Sequence, residues 1–276
     1  MTSLSPTEWP PFQVKALNID RPTENKVHVP GKAEEMGLRG SVVTGAITYG
    51  QMTHPLVSRY GLDWLGEGWS EVRFMKPAYE GDAVTITTAP DPGAGRERAY
   101  RVQAHNAEGV QLVQVHTHLP RPLPPLDDLA RVPPVNWEGE RQPISWELLE
   151  LNKPFRAYIW ETSMAEHLQW CDTLQDDLPI YREGPRPPLH PGAILDRGSK
   201  VISNQFYLEF WIHATSQMTT RGVMRVGDVV EVRCIPLEKW EKRGNEWARF
   251  YQVFLVDGEP MMEVMKTSVF KVNRVG

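Results

Sequence analysis

Short segments of this sequence recur a second time at an almost constant separation. A Gly-Ala-Ile triplet, a Gly-Asp pair that precedes an apolar strand, and an acidic-Gly turn each appear twice, 146 to 149 positions apart. The matched segments are 45–47 with 192–194, 81–84 with 227–230, and 108–109 with 257–258. A single match of this kind carries little weight, but three in the same order predict a duplicated domain.

A proline-rich segment separates the two copies. Residues 119–144 contain seven prolines, and because proline removes backbone donors and disfavours helix, we expect an extended linker there. The linker divides the chain of 276 residues into an N-terminal domain, 1–118, and a C-terminal domain, 145–276. Each is long enough to bury a hydrophobic core of its own.

Both copies show the same order of predicted elements. An extended segment (11–20 and 154–160) precedes a central helix (about 41–60 and 191–204), and alternating apolar and polar residues then predict strands joined by Gly-containing hairpin turns. Antiparallel strands need one face covered, and the central helix is the long apolar element available in each copy. We therefore predict an α+β fold in which each copy is a sheet wrapped around its helix.

Composition and charge exclude several classes of function. The net charge of −5 and the pI of about 5.9 argue against nucleic acid as a partner, since no basic stripe is available to neutralise phosphates. No apolar run reaches 18 residues, and MTSLSPTEWPPF at the N-terminus does not read as a signal peptide. We therefore expect a cytoplasmic protein that does not span a membrane.

The cysteine and glycine patterns suggest neither a metal nor a cofactor. Cys171 and Cys234 are too few for a disulfide scaffold, and neither lies in a pattern typical of zinc ligands, so reduced thiols are expected. No Gly-rich phosphate loop follows a predicted strand, so no nucleotide cofactor is expected.

Three segments of the N-terminal domain carry a resemblance to a known family. They are the Pro-x-x-x-Gly-Asp turn at 77–82, the helix opening at 40–45, and Asn25–His28, which resembles the end of a D-x-N-P-[LI]-H loop. The chain resembles the MaoC-like (R)-specific enoyl-CoA hydratase and acyl dehydratase superfamily in its two-domain branch, over nearly its whole length. That resemblance implies a double hot-dog fold, in which two antiparallel sheets each wrap around a central helix and merge into one pseudo-dimer.

The sequence departs from that family at its catalytic pair. The family places an Asp five residues before the loop His; here Thr23 stands at that distance from His28, with Glu24 next to it. The matching loop of the C-terminal domain keeps the acid as Asp176 but has Tyr181 in place of the His. Neither domain holds the complete pair.

The resemblance nevertheless implies a set of catalytic residues. Hydration of a 2-enoyl thioester needs a base that activates water, an acid that protonates C2, and donors that stabilise the enolate-like oxygen. The resemblance gives the acid–base role to His28, assisted by Glu24 or Thr23, while Asn25 holds the water or the loop. The alternatives are an ordinary loop histidine, a surface glutamate and an Asx turn.

Four further residues are predicted to contact the substrate. Gly45, at the start of the first central helix, would bond the thioester carbonyl with its N–H, with Thr44 beside it; the alternative is a glycine chosen for helix–sheet packing. Asp176 and Tyr181 would either contact the substrate or persist as a vestigial loop that shapes the acyl tunnel.

The leading prediction is a cofactor-free lyase that adds water to, or removes it from, an acyl-CoA or acyl-carrier thioester. A hot-dog thioesterase is the second hypothesis; a carboxylate near the helix start would favour it, and residues 40–47 contain none. A non-catalytic acyl-binding or partner subunit is the third, favoured by the split catalytic pair. Two hot dogs in one chain already form a pseudo-dimer, and assembly into a homodimer is a further possibility.

Overall fold

A computed structural model describes residues 9–19, 22–91, 98–120 and 122–272. The elements up to the linker are β1 (Phe12–Lys15), α1 (Lys32–Glu35), α2 (Gly45–Tyr60), α3 (Leu62–Glu67), β2 (Trp69–Phe74), β3 (Ala83–Pro90), β4 (Tyr100–Asn106) and β5 (Gln111–His118). Those that follow are β6 (Gln142–Pro143), β7 (Tyr158–Glu161), α4 (Met164–Leu174), α5 (Pro191–Ser203), β8 (Phe206–Tyr207), β9 (Ile212–Thr220), β10 (Val229–Lys242), β11 (Asn245–Val256) and β12 (Glu259–Val272). Short 3₁₀ turns lie at Lys26–His28, Asp128–Arg131 and Pro179–Tyr181.

Ten strands form one antiparallel sheet, in the order β1-β3-β4-β5-β2-β9-β12-β11-β10-β7. The five strands before the linker occupy one side and the five after it occupy the other, in mirrored order. The two sides meet where β2 pairs with β9, with Trp69 opposite Thr219. Strands β6 and β8 form a separate parallel pair. The predicted α+β class with antiparallel strands is confirmed.

Two hairpin turns lie where the repeat predicts them. Gly109 lies between β4 and β5 with φ 75°, and Asp257 and Gly258 lie between β11 and β12 with φ 51° and 82°. Positive φ of this size is a conformation that glycine adopts without steric cost. The acidic-Gly pairs therefore recur at the corresponding hairpin of each copy, but the turns differ in length: residues 107–110 separate β4 from β5, whereas Asp257 and Gly258 alone separate β11 from β12.

The two central helices, α2 and α5, pack against each other beneath the sheet and share one hydrophobic core. They cross at glycines: a Cβ atom on Gly50 would lie 3.0 Å from the Cα of Gly192, and one on Gly192 would lie 2.9 Å from the carbonyl oxygen of Ala46. Only hydrogen at these positions lets the two backbones approach so closely. Two of the recurring glycine-containing segments thus contribute to the contact between the copies.

The prediction of a single helix in each copy is incomplete, because α1, α3 and α4 are also present. The longest of these is α4, which begins after Ser163, whose Oγ accepts a hydrogen bond from the N–H of Glu166 at 3.3 Å. Its inner face buries Trp170 and Leu174 against the common core.

The linker is held against the sheet along part of its length. Its 3₁₀ turn buries Ala130 against Tyr251 and Leu255 of β11. Arg221 donates to the carbonyl oxygens of Pro124 and Pro125, both at 3.0 Å, and its Nε donates to Glu263 at 2.6 Å. The prediction of an extended linker over 119–144 is therefore correct for only part of it, because Asp128–Arg131 forms a 3₁₀ turn.

Candidate active site

One cavity of about 880 Å³ lies between the two halves of the fold. It is lined by the 22–28 loop, the start of α2 and the 74–78 segment on one side, and by α5 and residues 208–213 on the other. Its walls are largely apolar and include Val27, Val43, Phe74, Leu195, Leu208 and Trp211. A large, mainly apolar cavity with a few polar groups is the usual form of a small-molecule site.

His28 lies on this cavity at the end of a 3₁₀ turn. Its Nδ1 is 2.7 Å from the carbonyl oxygen of Val42. A carbonyl oxygen only accepts, so Nδ1 carries the proton and donates it. In the neutral ring this leaves the lone pair on Nε2, which is the arrangement a general base needs.

Asn25 fixes the turn that carries His28. Its side-chain oxygen accepts from the N–H of Val27 at 3.4 Å, which is the Asx turn that its position predicts. The same amide reaches across to the C-terminal half: Nδ2 donates to the carbonyl of Trp211 at 2.7 Å, and the N–H of Trp211 donates to Oδ1 at 3.3 Å. Since Asn25 is buried, these bonds hold the loop that carries His28 against the segment before β9.

Thr23 and Glu24 also line the cavity, and both make bonds there. Thr23 Oγ1 accepts from the N–H of Asn25 at 3.2 Å. Both carboxylate oxygens of Glu24 bind Arg141, at 2.8 and 2.6 Å, and the hydrogen bond from Arg141 lowers the pKa of Glu24. Glu24 is therefore held ionised, which suits an orienting role better than a proton donor.

The start of α2 brings backbone donors to the same cavity. Thr44, Gly45 and Ala46 all line it. The first bonds within the helix run from Ile47 and Thr48 to the carbonyl of Thr44, so the N–H groups of Gly45 and Ala46 precede the helical ladder. Within the described part of the chain, the Thr44 side chain makes no capping hydrogen bond. The N-terminus of α2 thus presents to the cavity the kind of backbone donors that can stabilise an oxyanion.

Gly45 is also in close contact with an aromatic ring. A Cβ atom at this position would lie 2.9 Å from Cε1 and Cζ of Phe74, whose ring in turn lies 4.7 Å from that of His213. Close packing involves the Cα of Gly45, whereas oxyanion binding would involve its N–H. The two interpretations of this glycine are therefore compatible.

The corresponding loop of the C-terminal half forms a separate, buried cluster. Asp176 is 1% exposed and accepts from His54 Nδ1 at 3.0 Å and from His190 Nε2 at 3.1 Å, while the Tyr181 ring lies 4.6 Å from that of His190. Of the described residues that line the cavity, none belongs to 176–181. Asp176 and Tyr181, the two predicted substrate contacts, therefore lie together around His190 and outside the cavity that His28 lines.

The N-terminus of α5 is closed by its own residues. Pro191 has no N–H, and the N–H of Gly192 donates to His190 Nδ1 at 3.1 Å. Because Nδ1 accepts, the proton of the neutral ring is on Nε2, which donates it to Asp176. Burial lowers the pKa of His190, although the bond to Asp176 acts in the opposite direction. Of the two equivalent helix starts, that of α2 is the one that faces the cavity.

Solved structures show the same architecture. A protein from Chloroflexus aurantiacus J-10-fl described as a MaoC domain protein dehydratase is 14% identical, with a TM-score of 0.66 over 91% of this chain and 88% of that one. A conserved hypothetical protein from Mycobacterium tuberculosis with a double hot-dog fold is 12% identical, with a TM-score of 0.63 over 96% of each chain. This chain has a double hot-dog fold. A protein from Lactobacillus plantarum described as an oleoyl thioesterase also matches, at 10% identity and a TM-score of 0.51 over 98% and 99% of the two chains.

By sequence, no protein-family model and no curated protein matches the chain. The double hot-dog fold therefore rests on the structure, and it agrees with the fold that the motif resemblance implies.

The double hot-dog arrangement also brings polar residues of the C-terminal half to the cavity, which the sequence analysis did not select. Asp196, Ser199 and Lys200 line it from α5, and His213 lines it from β9. Lys266, on β12, is fully buried behind Ser199 and donates to its Oγ at 3.0 Å. In the sequence, Asp196 and Ser199 lie four and seven residues after Gly192. That spacing is the one sequence signal that places them in the first turns of a helix.

Within the residues that the structure describes, no group of three or more His, Cys, Asp or Glu side chains is arranged to hold a metal ion. In the same part of the chain, no helix is long and apolar enough to cross a membrane.

Proposed function

We propose that the protein is a cofactor-free hydratase or dehydratase that interconverts a 2-enoyl thioester and a 3-hydroxyacyl thioester. The observation that carries this proposal is that His28 and the start of α2 line one largely apolar cavity. Acid–base catalysis and oxyanion stabilisation are the two functions that the reaction requires. The neighbour described as a MaoC domain protein dehydratase supports it at the level of fold.

In the proposed mechanism, His28 alone moves the proton. Nε2 takes a proton from water as the water oxygen attacks C3, and the electron pair of the double bond moves onto the thioester oxygen. The N–H groups of Gly45 and Ala46 stabilise that oxygen. The imidazolium then returns the proton to C2, which restores neutral His28; dehydration is the reverse.

Asn25, Glu24 and Thr23 are proposed to position His28. Asn25 ties the loop to Trp211, Glu24 ties it to Arg141, and Thr23 receives the N–H of Asn25. A bifunctional His28 makes a separate acid at position 23 unnecessary, because one ring accepts and returns the same proton.

The remaining lining residues fit an acyl thioester. The apolar wall accepts the acyl chain, and Lys76, Arg156 and Lys200 give the same cavity basic groups that suit the phosphates of CoA or of an acyl carrier. We further propose a cytoplasmic enzyme, consistent with its two buried cysteines that form no disulfide, and leave a homodimer as a possible assembly.

The test measures hydration of a panel of short, branched and aromatic 2-enoyl-CoAs through the loss of enoyl-thioester absorbance. We expect His28→Ala to lower kcat at least about 100-fold, because general acid–base catalysis contributes that much or more. His105→Ala is the matched control; His105 lies on β4, and it is not among the lining residues. Equal rates for wild type and His28→Ala would refute the proposal.

A thioesterase is the second candidate, and a specific observation favours it. Asp196, 6% exposed, brings to the cavity from α5 the carboxylate that residues 40–47 lack. A carboxylate there suits activation of water for attack on the thioester carbonyl. This function would be favoured if the wild-type protein releases free CoA thiol from saturated acyl-CoA and the Asp196→Asn variant does not. Binding of acyl-CoA without either reaction would favour the non-catalytic subunit.

A further inference from the structure

A serine and a lysine from distant parts of the chain meet at the cavity wall. Ser199 is on α5 and lines the cavity, and Lys266 reaches it from β12, with 3.0 Å between Nζ and Oγ. Lys266 is 1% exposed, so a ligand in the cavity meets Ser199 first, with the Lys266 amine directly behind it. Proposed hydration by His28 uses neither residue.

The surroundings of Lys266 make its amine easier to deprotonate than that of an exposed lysine. Burial lowers the pKa of Lys266 to about 8, with Asp196 and Cys234 acting in the opposite direction. His213, on β9, also faces it; burial and the charge of Lys266 lower the pKa of His213 well below its ordinary value, so this histidine adds no positive charge. A buried amine that loses its proton near neutral pH is a base of the right strength for a serine hydroxyl.

We propose that Ser199 and Lys266 form a nucleophile–base pair, which gives the protein an acyl-transfer activity: hydrolysis of thioesters or esters through an acyl-serine. The pair supplies what nucleophilic catalysis requires, a hydroxyl at the substrate cavity and a base within hydrogen-bond reach of it. The proposal does not depend on hydration by His28.

Each step of the reaction balances. Lys266 Nζ takes the hydroxyl proton as Ser199 Oγ attacks the carbonyl carbon, and an oxygen–carbon bond forms. The carbon–sulfur bond then breaks, and the leaving thiolate takes the proton from Lys266. Water attacks the acyl-serine ester through the same amine, which releases the carboxylic acid and regenerates Ser199. Direct attack by water activated at Asp196 would form no acyl-serine, which separates the two hydrolytic routes.

The test uses a fluorophosphonate that phosphonylates activated serines, with the modified residue found by peptide mass spectrometry. We expect modification at Ser199 in the wild-type protein and its loss in Ser199→Ala. Ser58→Ala is the control: Ser58 is an exposed serine on α2 and is not among the residues that line the cavity. That variant should be labelled at the wild-type rate.

The role of Lys266 has its own readouts. Lys266→Met should slow labelling of Ser199 at least about 100-fold, the contribution of a positioned base. If this variant does not fold, the pH dependence of wild-type labelling decides: the rate should rise about tenfold per pH unit up to about pH 8 and then level off. Folded wild-type protein that is not labelled at Ser199, or labelling whose rate is the same from pH 6 to pH 9, would overturn the proposal.

Discussion

Three hydrogen-bond donors converge on the Asp176 carboxylate in a place that is closed to water. They are Nδ1 of His54, Nε2 of His190 and the N–H of Leu178, at 3.0 to 3.1 Å. Burial alone would raise the pKa of Asp176, but the hydrogen bonds from the two histidines outweigh it and lower the pKa well below its ordinary value. At the scale of single residues, this carboxylate is a structural anchor that joins α2 to the start of α5.

Replacement of this carboxylate by an amide should therefore destabilise the fold. In Asp176→Asn one amide oxygen remains to accept, while the NH₂ group faces a donor, so we expect a loss of about 2–4 kcal/mol of unfolding free energy. The measurement is urea denaturation at pH 7 followed by tryptophan fluorescence. Asp177→Asn is the matched control, because its side chain is exposed, and it should change stability by less than about 0.5 kcal/mol.

The sign of the pH dependence follows from the lowered pKa of Asp176. Its contribution is complete above the unfolded-state pKa of about 4 and is lost as the pH falls toward the lowered folded-state pKa. The difference in stability between wild type and Asp176→Asn should thus shrink below about pH 4. A variant as stable as wild type at pH 7 would contradict the anchoring role.

Local motifs explain which site residues could be predicted from the sequence. Asn25 and His28 belong to one short motif, and both line the cavity. Ser199 and Lys266 are 67 positions apart, and the bond between them depends on how β12 lies under α5. No local pattern encodes that register, so their proximity became visible only in the folded chain.

At the scale of elements, the contact between α2 and α5 depends on two glycines. In Gly50→Ala the new methyl group would lie 2.8 Å from Leu174 and 3.0 Å from the backbone of Gly192, and a backbone atom cannot move aside as a side-chain end can. We expect a loss of about 1–3 kcal/mol from overpacking. Thermal unfolding is the measurement. Gly40→Ala is the control, because its nearest neighbours are 4.0 Å away; equal losses in both variants would show that the helix crossing is not the cause.

Helix α4 has a local sequence signal that does not belong to the repeat. Ser163 and Glu166 form an S-x-x-E pattern, and His167, Trp170, Cys171 and Leu174 follow at spacings of three, four and seven, as on one buried helix face. The signal was local and readable. The hairpins and central helices were predictable because each appears twice, whereas α4 has no counterpart of similar length among the described residues of the N-terminal half.

At the scale of the whole molecule, the two halves have equivalent helix starts with different surroundings. The start of α2 faces the cavity beside His28, and that of α5 is closed by His190 and Pro191 and anchored by Asp176. One copy therefore carries the open site while the other contributes wall residues and a buried polar cluster. The division of roles also leaves several histidines inside the fold, and these set how the molecule responds to acid.

Three histidines, two of them buried and one on the cavity wall, should make the whole fold sensitive to mild acid. Burial is the main cause that lowers the pKa values of His167, His190 and His213. Below about pH 6.5 these histidines therefore bind protons more readily in the unfolded chain than in the folded one. Their stabilisation is complete above the unfolded pKa of about 6.5 and is lost as the pH falls below it, by up to about 1.4 kcal/mol per pH unit for each histidine. Unfolding free energies from urea titrations at pH 7, 6 and 5 should fall accordingly.

His167→Gln keeps a donor for the carbonyl of Tyr181 but does not titrate, so this variant should lose less stability between pH 7 and pH 5 than the wild type. His105→Gln, on a side chain that is not buried, should leave the slope unchanged, and a wild-type stability constant from pH 7 to pH 5 would contradict the prediction.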